Sequence, residues 1–499
     1  MNNKDENSGI GRAVARGAFW VIISRFSVRF LGVVSTFVLT RLLMPADFGL
    51  IAIASFVIGL LGSLTAFGVA PALIQRKEIN CEYYNTAWTL QILRGLVLAL
   101  SLYFVAEPMA LFYQKNELIS VIKVFSLITF IGSCSSIYLV NFQRNLEFDR
   151  EFIFNVKIKL IAFFSTILAA WLLKNYWALV IGTGISVTTS VIYSYIVFPA
   201  YPRFSLNKFY EIFSFSNWIF VYETLSYVSL KTEIILLGRL STPTVVGIYD
   251  VSCEIATTPT SELTLPISRA LFSGLSRLQS NPAEFSRVLL LTFSFIIAVG
   301  LPAGIGLSLI ANPLITILFT ADWQDMIPIV EIGAIYSIFR MLLGPSVSVF
   351  MAKGKVKFLA IVSALMLPVR ILCIYFGWHY GELIGVALAV LFLAFIQSVT
   401  MLVSMSRLGI LKFNELVYYS WRSFASTLLM AFSTKLVLNY CNNNFTLPFL
   451  EIIICTFSGI LIYFVVHTGL WWLCGYPQGV ESLVMKELNN RIFKKLARG

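Results

Sequence analysis

Two arginines in the first apolar segment of the chain have the type and spacing of an anion-binding pair. Arg25 and Arg29 are four residues apart, so a helix places both on one face. No acidic residue stands three or four positions from either of them. Neighbouring guanidinium groups repel each other unless an anion or water meets them, and their planar forks bind phosphate bidentately. The pair predicts contact with a phosphate-bearing anion, and a purely structural role is the alternative.

Further ionisable residues lie inside apolar segments, where a charge is costly and needs a reason. The basic residues predicted to join the substrate-binding set are Arg94, Lys231, Arg340 and Arg370. The carboxylates predicted as proton- or sodium-coupling candidates are Glu223, Glu233 and Glu254, because buried carboxylates readily shift their pKa. Pairing with each other or reaching the membrane surface is the structural alternative for all of them.

The composition shows which elements must position these residues. The chain has 499 residues, of which 58% are hydrophobic and 12% charged. A soluble domain is about half apolar and a quarter charged, so this chain needs lipid as part of its solvent. About fourteen apolar segments have the length of a bilayer-spanning helix, among them residues 119–140, 357–377 and 383–406. The first is long enough to remain as a span, and no cleavable signal peptide is predicted.

The charges argue for a membrane topology and against nucleic acid. The net charge of +12 lies mainly in alternate connections between apolar segments, as the positive-inside rule requires for cytoplasmic loops. Both termini are therefore predicted to be cytoplasmic. The seven cysteines lack metal-site spacing, and no nucleophile triad, paired carboxylates or nucleotide-binding loop is evident. No catalytic residue, metal or cofactor is expected beyond a coupling proton or sodium ion.

An internal repeat points to a transporter. The pattern Arg-Leu-x-x-Pro-x-x-x-Gly at residues 41–49 recurs at residues 239–247, a shift of 198 positions. Six predicted spans separate the copies, and an even number gives both copies the same orientation. Such parallel repeats form two bundles around a central cleft in several transporter folds. The predicted fold class is an all-α membrane protein with about 14 transmembrane helices, two parallel-repeat six-helix bundles and two C-terminal helices.

The repeat and the charges divide the chain into six parts. They are a cytoplasmic N-terminal segment (1–17), an N-terminal six-helix bundle (18–198), a cytoplasmic linker (199–215), a C-terminal six-helix bundle (216–406), two extra transmembrane helices (418–472) and a basic cytoplasmic tail (475–499). Apolar residues recur every four positions in the tail from Val480 to Ile492. This pattern fits an amphipathic helix on the anionic inner leaflet, and a solvated basic tail is the alternative.

At the repeat, the sequence resembles a known family. Residues 39–50 (LTRLLMPADFGL) and 67–78 (FGVAPALIQRKE) resemble the polysaccharide-exporter branch of the multidrug/oligosaccharidyl-lipid/polysaccharide (MOP) exporter superfamily. This branch contains the Wzx-type flippases, including colanic acid and teichuronic acid exporters. Residues 237–239 and 247–249 are similar to its second-half signature. Glu233 stands where the family usually has aspartate, and Lys231 also departs from its pattern, so the resemblance does not fix an ion-coupling site.

The resemblance implies a flippase that moves an undecaprenyl-diphosphate-linked oligosaccharide repeat unit across the bacterial cytoplasmic (inner) membrane by alternating access. Its product would serve O-antigen, capsule or exopolysaccharide biosynthesis, and its partners would be this substrate, membrane lipids, and polysaccharide polymerase and assembly proteins. Arg25, Arg29, Arg94 and Arg370 would neutralise the diphosphate, helped by Lys231 and Arg340, and Glu223 would pair with a cation when substrate is absent. The alternatives are a MATE-like multidrug cation exporter, a membrane polymerase or ligase, and an assembly scaffold.

Overall fold

The structure is a computed structural model that describes residues 20, 23–65, 73–74, 79–145, 147–209, 217–278, 281–444, 448–476 and 481–482. Regular structure within these ranges is helical, without a strand. The predicted N-terminal segment 1–17, the motif residues 67–72 and 75–78, part of the linker and most of the tail lie outside the described residues.

The first compact unit takes in the described residues up to Asp250, together with Ser363–Leu367. Its helices are α1 (23–39), α2 (Pro45–Leu64), α3 (Cys81–Tyr113), α4 (Glu117–Ser133), α5 (Val140–Arg144), α6 (Phe148–Leu173), α7 (Trp177–Val197), α8 (Asn217–Leu240) and the first part of α9 (Pro243–Arg277). Helix α3 packs on α4, α6 packs on α7, and α8 packs on α2.

The second compact unit takes in the described residues from Val251 onward, apart from Ser363–Leu367. After the remainder of α9, its helices are α10 (Pro282–Leu318), α11 (Ile327–Arg340), α12 (Leu343–Ala352), α13 (Val356–Arg407), α14 (Phe413–Asn444) and α15 (Pro448–Leu473). Helix α10 packs against α11, α14 and α15, and the last two also pack on each other.

The all-α membrane prediction is confirmed by these helices. Eight helices in the described part of the chain are long and apolar enough to cross a membrane, and a bent pair, Glu117–Ser133 with Ile137–Arg144, would make a ninth. Helix α8 is not one of the eight, and it carries Glu223, Lys231 and Glu233. Because α8 packs along the membrane-length helix α2, its charges lie at membrane depth and need partners or water there.

Helical breaks occur at two places, one within a predicted span and one between two predicted spans. The span predicted at 119–140 is wrong as one helix, because it bends by 66° after Ser133. The break leaves carbonyl groups without helical partners, and the Gln91 amide of α3 donates to the carbonyl oxygens of Ser133 (2.8 Å) and Ser135 (3.1 Å). The spans predicted at 357–377 and 383–406 both lie in α13, which has non-helical backbone at Gly381 and Glu382, between them.

The two copies of the repeat meet at their glycines. Pro45 begins α2 and Pro243 begins α9, and proline is favoured in the first turn of a helix. A Cβ atom on Gly49 would overlap the carbonyl group of Pro243, and one on Gly247 would overlap the carbonyl group of Pro45. The contact is therefore reciprocal, as expected for equivalent positions of a duplicated sequence. Only glycine permits this backbone approach.

Alanine at Gly49 or Gly247 is expected to destabilise the protein by roughly 1–3 kcal/mol, because a backbone carbonyl cannot move aside as a flexible side chain can. The measurement is the apparent melting temperature of the purified variants in detergent. Gly62→Ala, in the same helix as Gly49, is the matched control, since nothing lies within 4 Å of its added methyl group. Equal melting temperatures for Gly49→Ala and Gly62→Ala would contradict the close contact.

The compact units do not divide where the repeat divides the sequence. The linker predicted at 199–215 precedes α8, whereas the units divide after Asp250, because α8 packs on α2. The Tyr227 hydroxyl of α8 donates to the carbonyl oxygen of Phe56 in α2 at 3.3 Å, and the two rings stack. The arrangement of two six-helix bundles plus two helices, with its boundaries, stays a prediction.

Candidate functional site

A polar stripe runs along one face of α8. Glu223, Tyr227 and Lys231 follow one another at intervals of four residues, the spacing that places side chains on the same face of a helix. Lys231 Nζ lies 3.5 Å from Asp250 Oδ1 on α9, and the two side chains are 34% and 38% exposed. A charge that is exposed at membrane depth must face water or another polar group rather than hydrocarbon. The stripe therefore marks a polar path along the first unit.

Tyr227 fixes this part of α8 against α2. Its ring stacks on that of Phe56, with 6.3 Å between ring centroids and 9° between the planes. Gly59 leaves room for the tyrosine, since a Cβ atom there would overlap the Tyr227 hydroxyl. Lys231, one turn farther along the same face, is thus held on a rigid support.

The opposite end of α8 is held by Lys115, in the connection between α3 and α4. Its ammonium group donates to the carbonyl oxygens of Gly238 (2.7 Å) and Ser241 (3.3 Å) at the end of α8. A cation is favourable at a helix C-terminus, where carbonyl groups lack helical partners. Burial lowers the pKa of Lys115 and the charge of Arg239 lowers it further, while Glu117 opposes the shift. Lys115 thereby fixes the turn between the helices that carry Lys231 and Asp250.

The predicted arginines of the first unit differ in their surroundings. Arg25 and Arg29 lie on α1 and are partly exposed. Arg94 Nη2 donates to the carbonyl oxygen of Gly62 at 3.1 Å, and its Nε lies 3.5 Å from the hydroxyl of Thr65. These contacts cap the end of α2, so part of the donor capacity of Arg94 serves the fold.

The predicted arginines of the second unit, Arg340 and Arg370, are partly buried. Arg340 Nη1 donates to the Tyr336 hydroxyl at 2.7 Å, and its guanidinium lies 5.9 Å from the centre of that ring. Arg370 lies in the first half of α13 and is partly buried. Both residues have interactions within the protein.

The three predicted coupling carboxylates lie in unlike environments. Glu223 is exposed on α8, and Glu233 on the same helix is only 4% exposed. Glu254 lies on the part of α9 that belongs to the second unit, and it is partly buried. Glu233 is therefore the most buried of the three carboxylates.

Comparison with known proteins gives the family. A family described as polysaccharide biosynthesis protein matches residues 38–328, more than half of the chain. The chain belongs to this polysaccharide biosynthesis family. The predicted resemblance to Wzx-type exporters of the MOP superfamily is therefore confirmed. The matched range contains both copies of the repeat and the Lys231–Asp250 pair, while Arg25 and Arg29 precede it.

Individual members and a related structure agree with this placement. WzxC, a lipopolysaccharide biosynthesis protein of Escherichia coli (strain K12), is 24% identical over 395 residues, covering 77% of this chain and 79% of WzxC. TuaB, a teichuronic acid biosynthesis protein of Bacillus subtilis (strain 168), is 23% identical over 351 residues, 69% of this chain and 72% of TuaB. The lipid II flippase MurJ, in an inward closed conformation, has a TM-score of 0.72 at 17% identity, covering 90% of this chain and 98% of MurJ. This chain therefore has the same fold as MurJ.

Two residues of the site were not assigned from the sequence. Asp250 was not predicted to be the partner of Lys231, and Lys115 was not among the predicted site residues. Lys231 lies nine residues before Leu240 and Asp250 lies seven residues after Pro243, the two ends of the short turn. Residues at similar distances from a turn between antiparallel helices lie at similar depth, so this spacing could have indicated the pair.

Proposed function

We propose that this family member is a flippase that translocates an undecaprenyl-diphosphate-linked oligosaccharide repeat unit across the bacterial inner membrane for surface polysaccharide biosynthesis. The observation that carries the proposal is the presence of partly exposed basic side chains on helices that the sequence predicts to cross the membrane, namely Arg25, Arg29 and Lys231. Charges at that depth need water or an opposite charge beside them. A diphosphate headgroup provides the opposite charge while its polyprenyl tail stays in the bilayer.

The relatives support the same substrate class. WzxC is named for lipopolysaccharide biosynthesis and TuaB for teichuronic acid biosynthesis, and MurJ, which has the same fold, is named as a lipid II flippase. The connections predicted to lie outside are short in the first unit: 114–116 joins α3 to α4, and 174–176 joins α6 to α7. Such connections offer little room for the catalytic loop expected of a polymerase or ligase.

A drug exporter of the same superfamily is a second candidate, favoured by one observation. Glu223 is an exposed carboxylate on the polar stripe of α8, and an organic cation would bind there more readily than an anion. The basic residues of α1 and Lys231 oppose this candidate, because they would repel a cation.

Reconstitution into liposomes separates the two candidates. The flippase proposal predicts protein-dependent movement of a fluorescent, short-chain polyprenyl-diphosphate oligosaccharide, detected by quenching from one side only. Competition by unlabelled polyprenyl diphosphate and not by ethidium is expected. Movement of ethidium without movement of the lipid would favour the drug exporter and contradict the flippase.

The orientation in the membrane is also part of the proposal. With both termini cytoplasmic, Lys355 lies inside and Asp322 outside, and both residues are exposed to solvent. Single cysteines at these positions in a variant lacking the native cysteines are expected to react differently with an impermeant maleimide added to intact cells. Labelling at 322 and not at 355 is the expected result, and the reverse would overturn the orientation.

Coupling to a proton or sodium gradient would give the transport its direction. Glu223, Glu233 and Glu254 are the proposed coupling residues, since each is a carboxylate in a segment that the sequence predicts to cross the membrane. Replacing all three by glutamine is expected to abolish gradient-driven accumulation while preserving slow exchange. Unchanged transport with unchanged dependence on both gradients would exclude these residues.

A further inference from the structure

The contact between Lys231 and Asp250 is loose for an ion pair. Its 3.5 Å separation exceeds the 2.7–2.9 Å usual for a charge-assisted N–H···O hydrogen bond. Another pair in the first unit, Lys123 with Glu107, has the usual separation of 2.9 Å. A loose pair in a polar environment gains little free energy, so an incoming anion can displace Asp250 at small cost.

The position of the pair makes it accessible to an anion. Roughly 10–14 Å of helix separates each residue from the turn between α8 and α9, which places both well inside the membrane. About a third of each side chain is exposed, and a charge exposed at that depth needs water or another polar group beside it. The contact with Asp250 uses one of the three donors of the ammonium group, so a diphosphate could form more hydrogen bonds with it than a single carboxylate oxygen does.

We propose that Asp250 is a resident counter-ion for Lys231 that the diphosphate of the substrate replaces during each transport cycle. The inference rests on the proposed function, because it requires a diphosphate-bearing substrate. Asp250 would weaken substrate binding by competing for Lys231, and it would promote release by returning to Lys231 when the substrate leaves. Asp250 is thus a positioning residue for transport, while Lys231 contacts the substrate.

The contacts that hold α8 in place do not depend on Asp250, so this residue can be substituted without loss of the fold. Tyr227 and Lys115 hold α8 through Phe56 and through the carbonyl group of Gly238, and neither contact involves Asp250. The position of Lys231 is therefore set mainly by α8. Asp250→Asn should keep the fold and remove only the competing charge.

The test is the binding of farnesyl diphosphate to the full-length protein in nanodiscs, measured by calorimetry with farnesol as the uncharged reference. Asp250→Asn is expected to tighten binding about three- to fivefold and to slow lipid movement in liposomes. Asp250→Glu extends the carboxylate toward Lys231, so it is expected to weaken binding by a similar factor. Lys231→Gln should weaken binding about tenfold. Glu107→Gln, which removes a carboxylate from the Lys123 pair, should leave binding unchanged.

The outcomes separate this inference from the function on which it rests. If the folded wild-type protein does not bind farnesyl diphosphate better than farnesol, the proposed substrate class is wrong. If it does bind, but Asp250→Asn and Asp250→Glu fail to change affinity in opposite directions, the counter-ion role is overturned and the flippase stands. The double variant Lys231→Gln with Asp250→Asn should match Lys231→Gln, and a further gain would show that Asp250 acts without Lys231. If the asparagine variant does not fold, the glutamate variant decides.

Discussion

Glu481→Gln is expected to lower the stability of the second unit by on the order of 3 kcal/mol at neutral pH. Arg422 on α14 is only 1% exposed, and its Nη2 and Nε lie 2.9 Å and 3.1 Å from the Glu481 carboxylate. His467 Nε2 lies 3.2 Å from the same oxygen. Removing the carboxylate would leave a buried guanidinium without this charge partner, which costs far more than the loss of an exposed pair.

The pKa of Glu481 gives the pH dependence of that loss. Burial raises the pKa, but the hydrogen bonds from His467 and the backbone and the charge of Arg422 outweigh it and lower the pKa to about 2. A carboxyl group whose pKa is depressed by folding stabilises the protein fully above its unfolded pKa of about 4.5 and loses that effect as pH falls toward 2. The difference between wild type and Glu481→Gln should therefore be constant from pH 5 to 8 and shrink below pH 4.5.

The measurement is the apparent melting temperature in detergent across that pH range. Glu415→Gln is the matched control, because Glu415 also forms a 2.9 Å ion pair, with Lys412, but on the exposed surface of the same unit. It should cost less than about 1 kcal/mol. The double variant Arg422→Met with Glu481→Gln should be more stable than either single variant. A cost for Glu481→Gln no larger than that of the control would show that the buried pair does not stabilise the unit.

The helices were predictable from the sequence because lipid imposes one simple requirement, a run of apolar residues of bilayer length. The break at Gly381 and Glu382 falls in the gap between two predicted spans, because each span was predicted as a separate apolar run. The bend after Ser133 was not predictable from hydropathy, because the residue that donates hydrogen bonds to the freed carbonyl groups, Gln91, lies outside the segment. Hydropathy averages over a segment and contains no information about such partners.

The partners of the ionisable residues were even less predictable from the sequence. Sequence identified Lys231 as a charge in an apolar segment, but its partner Asp250 lies on another helix. The partner of the buried Arg422, Glu481, likewise lies far from it in sequence. Spacing within a helix determines which side chains share a face, while contacts between helices depend on packing. The glycines of the repeat were informative because close packing demands a specific residue type at both copies.

The double variant Arg25→Ala with Arg29→Ala is expected to abolish export of surface polysaccharide while leaving normal amounts of protein in the membrane. Both side chains are partly exposed on α1, and ten residues, about 15 Å of helix, separate Arg29 from the helical end at residue 39. If the pair binds a diphosphate, each arginine contributes charge-assisted hydrogen bonds worth roughly 1.5–3 kcal/mol. Losing one should weaken binding about tenfold or more, and losing both should weaken it by a factor of a hundred or more.

Lysine substitutions distinguish binding from a structural role. Lysine keeps the charge and loses the planar fork, so Arg25→Lys and Arg29→Lys should restore export only in part. The measurement is complementation of polysaccharide export in cells lacking the gene, corrected for membrane abundance. Arg150→Ala is the matched control, since Arg150 is an exposed arginine of the same unit that pairs with Glu147 at 3.0 Å. Reduced abundance with proportionate export would assign the pair to the fold. Full export from the double alanine variant would remove the anion-binding role of α1 and leave Lys231 as the main physical argument for an anionic substrate.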